Sequence, residues 1–149
     1  MRTSIKGIEL ITRFEGLKLN AYLCPANVWT IGYGATFYAD GSKVKQGDTL
    51  IRKEQADSLL RAVLVDFEIG VTKATQGVSV NQNQFDALVS LAYNIGNGAL
   101  SKSTLIKVVK VNVNHPQIAT EFARWNKAGG KELKGLTIRR KAESDLYFS

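Results

Sequence analysis

The sequence predicts an α+β fold, mainly helical, with a small antiparallel β-rich lobe near the N-terminus. Three observations carry that prediction. Apolar residues recur at helical spacing through most of the chain, whereas the stretch after Gly16 alternates Thr, Tyr, Trp and Ile with glycines. The 149 residues, 44% apolar and 22% charged, are enough for one domain to bury a core without disulfides or a structural metal.

Each element follows from local pattern. Residues 4–14 read as a short helix, with Ile5, Ile8 and Ile11 at helical spacing and Leu10 and Phe14 filling in, ended near Gly16. Glu15 falls at its end. A small antiparallel sheet follows, in which ADGS at 39–42 is a turn signal between two extended runs. From Lys53 the helical period returns, and Ala56, Leu59, Leu60, Val63, Leu64 and Phe67 form one face of a helix of roughly four to five turns. The next helix opens at Asn81, whose side chain can cap it while Gln84 reaches back, and ends at Gly96. Its run FDALVSLAYNI is apolar nearly all round, which suits a helix enclosed by others. STLIKVVKVNVN at 103–114 would by propensity alone suggest a strand, but is assigned as helix. Pro116 suits the first turn of a short helix ending near Trp125, and Gly129 and Gly130 mark a turn. Residues 137–148 form a last amphipathic helix bearing Ile138, Leu146 and Phe148.

Composition narrows the chemistry. One cysteine, Cys24, cannot bridge internally, and with a single His115 there is no ligand set for zinc, so metal catalysis is not expected. The apolar patch at 8–11, broken by Glu9, is too short for a signal peptide or a membrane span, which places synthesis of the chain as written in the cytoplasm. The net charge of +7 is uneven: residues 1–101 carry +1 and residues 102–149 carry +6. That bias favours a polyanionic partner. No RNP motif and no base-reading helix accompanies the charge, so nucleic acid is not expected.

Around Thr30 a strand would point Trp29, Ile31 and Tyr33 to one face and Thr30, Gly32 and Gly34 to the other. The second face would offer one hydroxyl and bare backbone to a ligand. Glu15, flanked by Phe14 and facing an aromatic-rich sheet, is expected to be partly desolvated and a ready proton donor. Most other acids have plainer places: Asp40 and Asp48 in turns, Glu54, Asp57, Asp66 and Glu68 on or near the solvated side of the long helix. Arg139 and Glu143 make a helical i, i+4 pair of structural character. Trp125 and Asn126 are weaker candidates, as sugar platform and polar contact.

Glu15, Cys24 and Thr30 stand at the spacing E-x8-C-x5-T, which resembles the E-x8-D/C-x5-T catalytic signature of the phage-type lysozymes, or endolysins, of glycoside hydrolase family 24. The likeness continues in WTIGYGAT, QFDALVSLAYNIGNGAL, STL, FARWNKAGGKELKGL and RRKAES, in the family's order, from about Ile5 to Tyr147. It implies a single lysozyme domain over residues 1–149. A β-rich lobe at about 15–50 would be joined by the long helix to a helical lobe at about 70–149 plus the N-terminal helix, with a glycan groove between them.

The implied activity is hydrolysis of the β-1,4 bond between N-acetylmuramic acid and N-acetylglucosamine in peptidoglycan, without a cofactor or metal, causing host lysis. Glu15 would be the general acid, and Cys24 and Thr30 would place the attacking water. The implied partners are peptidoglycan strands, with anionic envelope polymers drawn to the basic C-terminal third, and the protein would be a monomer without stable membrane insertion. It would accumulate in the host cytoplasm and reach the wall after membrane opening.

Many family members carry aspartate where this chain has Cys24. A thiol with a reference value near ~8.5 is only slightly ionised at neutral pH. Base, nucleophile and spectator remain open roles. The nucleophile ranks below water activation, because an S-glycosyl intermediate lacks an oxygen leaving group. A lytic transglycosylase and a non-catalytic wall-binding module are the rival readings.

Overall fold

The computed structural model describes residues 1–50 and 52–149. They form two compact units, one of Ile11–Asp66 and one of Met1–Leu10 with Phe67–Ser149. The boundaries fall inside two helices, α1 (Ile5–Glu15) and α2 (Lys53–Ala74).

In the Ile11–Asp66 unit, α1 ends at Glu15, and the left-handed φ of +70° at Gly16 lets the chain leave the helix. Strand β1 (Lys18–Leu23) then pairs antiparallel with β2 (Trp29–Gly32). Lys18 stands opposite Gly32, Tyr22 opposite Thr30 and Leu23 opposite Trp29, so β1 advances four residues while β2 advances two. The extra residues form a bulge that pairs elsewhere: the Ala21 N–H donates to Asp48 O (2.9 Å) and the Leu50 N–H to Leu19 O (2.7 Å). The ADGS turn forms as expected, closed by Tyr38 N–H to Ser42 O at 2.8 Å, with the Asp40 carboxylate accepting from the Ser42 N–H (2.9 Å) and hydroxyl (2.6 Å). Ile31, Ala35, Val44 and Leu59 make the core of this unit, with Ala21, Trp29, Tyr38, Leu50 and Val63 packed around them.

Helix α2 has 22 residues, about six turns, and overruns the expected four to five. Two residues disguise its second half. Glu68, expected on the solvated side, is buried: its carboxylate accepts the Thr3 N–H and hydroxyl, both at 2.8 Å, and pairs with Arg2 at 3.1 Å. Gly70 is a poor helix former, yet a Cβ there would collide with the Asn97 side chain.

The second unit is built on α3 (Gln82–Ile95), which carries the capping box read from the sequence. The Asn81 side chain accepts the Gln84 N–H at 2.8 Å, and the Gln84 side chain accepts the Asn81 N–H at 2.9 Å. Residues 84–92 are all buried, as an enclosed helix requires, and Gly96 ends it at φ +92°. A short α4 (Asn97–Lys102) follows, without a sequence expectation, then α5 (Thr104–Val111), capped by Ser103, whose hydroxyl accepts the Ile106 N–H at 3.2 Å. Here burial overrides strand propensity, since Leu105, Ile106 and Val109 turn one helical face inward.

Helix α6 (Gln117–Ala123) begins after Pro116. Gly129 and Gly130, both at positive φ, turn a hairpin of β3 (Lys127–Ala128) and β4 (Lys131–Glu132). Helix α7 (Lys134–Tyr147) packs on α3 and α6. Its apolar face is not the expected one: Ile138 and Phe148 are 46% and 44% exposed, and the buried positions are Arg139, Arg140, Glu143 and Tyr147. The architecture is the expected mainly helical α+β fold.

Candidate active site

Glu15, Cys24 and Thr30 all lie in the Ile11–Asp66 unit. Glu15 is the last residue of α1 and is half-buried.

Thr30 occupies β2, and its side of the strand is closed at Gly32. Thr30 is only 4% exposed, and a Cβ on the buried Gly32 would point at Ala56, Leu59 and Leu50 within 3.8 Å. Gly32, at φ +67°, therefore serves helix–sheet packing and not ligand approach. Alternation predicted an open face along the strand, and the packing of α2 removes it at Gly32.

Cys24 follows the end of β1, in a turn tied by the Asn27 N–H to Cys24 O (2.9 Å) and the Cys24 N–H to Val28 O (3.0 Å). Asn27 takes the left-handed conformation, φ +58°, that such a tight turn requires. The turn aims donors at the half-buried sulfur. The backbone N–H of Val28 most strongly, and then that of Ala26, hold the thiol below its ordinary value. Partial desolvation opposes them, while the Thr30 hydroxyl and the Cys24 N–H add to the lowering. The Thr30 hydroxyl is thus near enough to Cys24 to act on its thiol. Thr30 has one hydroxyl hydrogen, given to Val28 O at 2.9 Å, and rotation about its C–O bond can turn it to the sulfur.

Tyr22 is the residue that sequence reasoning missed. It stands opposite Thr30, and burial raises its phenol first, followed by the charge of Glu15 and then that of Cys24. One side chain therefore feels both outlying candidates. The signal was available in period two: a step of two back from Cys24 reaches Tyr22. The other two tyrosines of the β segment act as struts. The Tyr33 hydroxyl donates to Asp57 at 3.1 Å, and that of Tyr38 to Asp48 at 2.7 Å; burial and the Asp48 bond push Tyr38 up to about 12.

In the second unit, Glu143 accepts from Ser90 Oγ at 2.7 Å and pairs with Arg140 at 2.8 Å and Arg139 at 3.2 Å, all buried. Burial pushes the Glu143 carboxyl up, and the charges of Arg140 and Arg139 oppose that shift. The expected i, i+4 pair is thus part of a buried triad. Trp125 is half-buried and its carbonyl accepts from Arg140 at 3.3 Å, while Asn126 donates to Thr137 at 3.1 Å. Among the described residues, no three His, Cys, Asp or Glu side chains gather as a metal site, and no helix is long and apolar enough to cross a membrane.

Comparison with known proteins gives a consistent picture. The sequence model of the phage lysozyme family matches residues 12–143. An endolysin of Bacillus phage B103 is 44% identical over 151 residues, an alignment covering 100% of this chain and 55% of that protein. The chain spans little more than half the length of that relative. Among solved structures, an endolysin from the Escherichia coli O157:H7 phage FAHEc1 superposes with a TM-score of 0.89 at 41% identity, over 100% of this chain and 94% of that one. The muramidase domain of SpmX from Asticaccaulis excentricus superposes with a TM-score of 0.87 at 34% identity, over 99% of this chain and 98% of that one.

Proposed function

Because the chain belongs to the phage lysozyme family, we propose that it is an endolysin that hydrolyses the β-1,4 bond between N-acetylmuramic acid and N-acetylglucosamine in peptidoglycan. The observation that carries this reading is the gathering of Glu15, Cys24 and Thr30 around Tyr22: Tyr22 stands opposite Thr30 in the sheet, and the charges of both Glu15 and Cys24 act on its phenol. An acid and a potential base therefore sit in one small unit. The name of the SpmX domain, a muramidase, supports the choice of bond.

In this reading Glu15 gives its proton to the bridging oxygen as the bond from that oxygen to the anomeric carbon breaks. A water attacks the anomeric carbon and passes a proton to the Cys24 thiolate, which its backbone donors make more accessible than an ordinary thiol. Thr30, buried and acting on the thiol through its hydroxyl, orients that pair. Cys24 then loses its proton and Glu15 regains one, both through solvent. The products are a free reducing end and a hydroxyl on the departing sugar. The basic C-terminal third would hold the protein on anionic envelope polymers.

The test is mass spectrometry of fragments released from peptidoglycan, under reducing conditions, by the parent protein and by Glu15→Gln. The parent should release reducing-end fragments, and the variant should lose about 10²-fold or more in rate. Anhydro-muramic products, lighter by one water, would show a transglycosylase instead of a hydrolase. Undiminished release by Glu15→Gln would remove Glu15 from the acid role.

A further inference from the structure

Tyr22 stands directly opposite Thr30 in the β1–β2 register, and directly opposed residues of an antiparallel pair project from the same face of a sheet. Cys24, two residues on, continues the pairing through its N–H to Val28 O at 3.0 Å, so its side chain lies on the same side as that of Tyr22. Tyr22 therefore shares a face with two of the three proposed active residues. The bulge between Lys18 and Tyr22 sets this register, as bulges beside functional sites do when they re-aim a side chain.

Two further properties distinguish Tyr22 from the tyrosines that brace the β segment. It is 36% exposed, so a saccharide can reach it. Its hydroxyl makes no hydrogen bond among the described residues, whereas those of Tyr33 and Tyr38 are bonded to Asp57 and Asp48. Burial and the nearby charges of Glu15 and Cys24 also keep the phenol protonated, so it remains a neutral donor.

Resting on the muramidase reading above, we propose that Tyr22 is a substrate-positioning residue whose phenol hydroxyl hydrogen-bonds a hydroxyl or N-acetyl group of the bound amino sugar. A sugar held there is bound beside Cys24 and near Glu15, the two groups whose charges act on the Tyr22 phenol. The contact is present before and during bond breaking, so it acts on binding more than on turnover.

The experiment uses Tyr22→Phe, which keeps the ring and removes the hydroxyl. Steady-state kinetics on soluble peptidoglycan glycan should show KM raised about three- to tenfold, the value of one hydrogen bond, with kcat and Tm near those of the parent. In parallel, Glu15→Gln and Glu15→Gln/Tyr22→Phe are titrated with the same glycan by calorimetry, and the double variant should bind more weakly by the same factor. Unchanged KM and unchanged affinity would overturn the proposal. So would a lowered kcat with a lowered Tm and unchanged affinity, which would make Tyr22 a packing residue. Failure of the muramidase reading shows separately, as a parent protein without turnover, and the calorimetric comparison does not depend on turnover.

Discussion

Thr30 has one hydroxyl hydrogen and two acceptors within reach, the Val28 carbonyl and the Cys24 sulfur. When the thiol ionises, the hydrogen gains by turning to the thiolate, because a charge-assisted bond outweighs a neutral one. In Thr30→Val the buried packing is kept and this donor is lost, while the stronger backbone donors of Val28 and Ala26 remain. The Cys24 titration should therefore move upward but stay below that of a free thiol, and alkylation at neutral pH should slow. Ultraviolet absorbance of the thiolate against pH measures it; an unmoved titration would remove Thr30 from the pair. The sign for stability is definite. A thiol lowered in the folded state contributes stability that is present above the unfolded value and lost as pH falls through the folded one, so Thr30→Val should narrow that window. The pairing of Cys24 with Thr30 was legible as a spacing of six. The burial of Thr30 and the closure at Gly32 were not, because alternation assigns sides to a strand without saying what covers them.

At the scale of elements, α3 and α7 show how far local pattern reaches. The capping box at Asn81 and Gln84 involves residues three apart, so composition and spacing suffice to find it. The buried face of α7 was misread, since Ile138 and Phe148 advertise an apolar stripe while the inward positions are Arg139, Arg140 and Glu143. Charges are buried only when partnered, and a key partner, Ser90, lies on α3, 53 residues away. Glu143→Ala leaves two buried guanidinium groups without their carboxylate and should destabilise the fold by about 3–5 kcal/mol. Urea denaturation measures it, and a loss below about 1 kcal/mol would mean the triad is not the anchor of α7. Helix α2 teaches the same lesson: Glu68 broke the apolar period only because its partners, Arg2 and Thr3, lie far away in sequence.

Across the whole molecule the charge is segregated along the chain, +1 over residues 1–101 and +6 over residues 102–149. The proposed attraction of the basic third to anionic envelope polymers would act over a screening length of about 10 Å at 0.1 M salt and about 3 Å at 1 M. Retention of Glu15→Gln on cell walls should therefore fall steeply with salt, and walls stripped of their anionic polymers should show little salt dependence. Co-sedimentation across a salt series decides it, and salt-independent retention would assign binding to the glycan alone. By itself the sequence determined most of the helical segments, the Asn81 capping box, the turns at 39–42 and 129–130, and the spacing of Glu15, Cys24 and Thr30, because each depends on neighbours a few residues apart. Only the tertiary structure decided that Tyr22 stands beside Thr30, that α2 closes the face behind Gly32, and that two arginines are buried with Glu143. Those outcomes depend on which surfaces exclude water together, a property of distant segments that no local pattern contains.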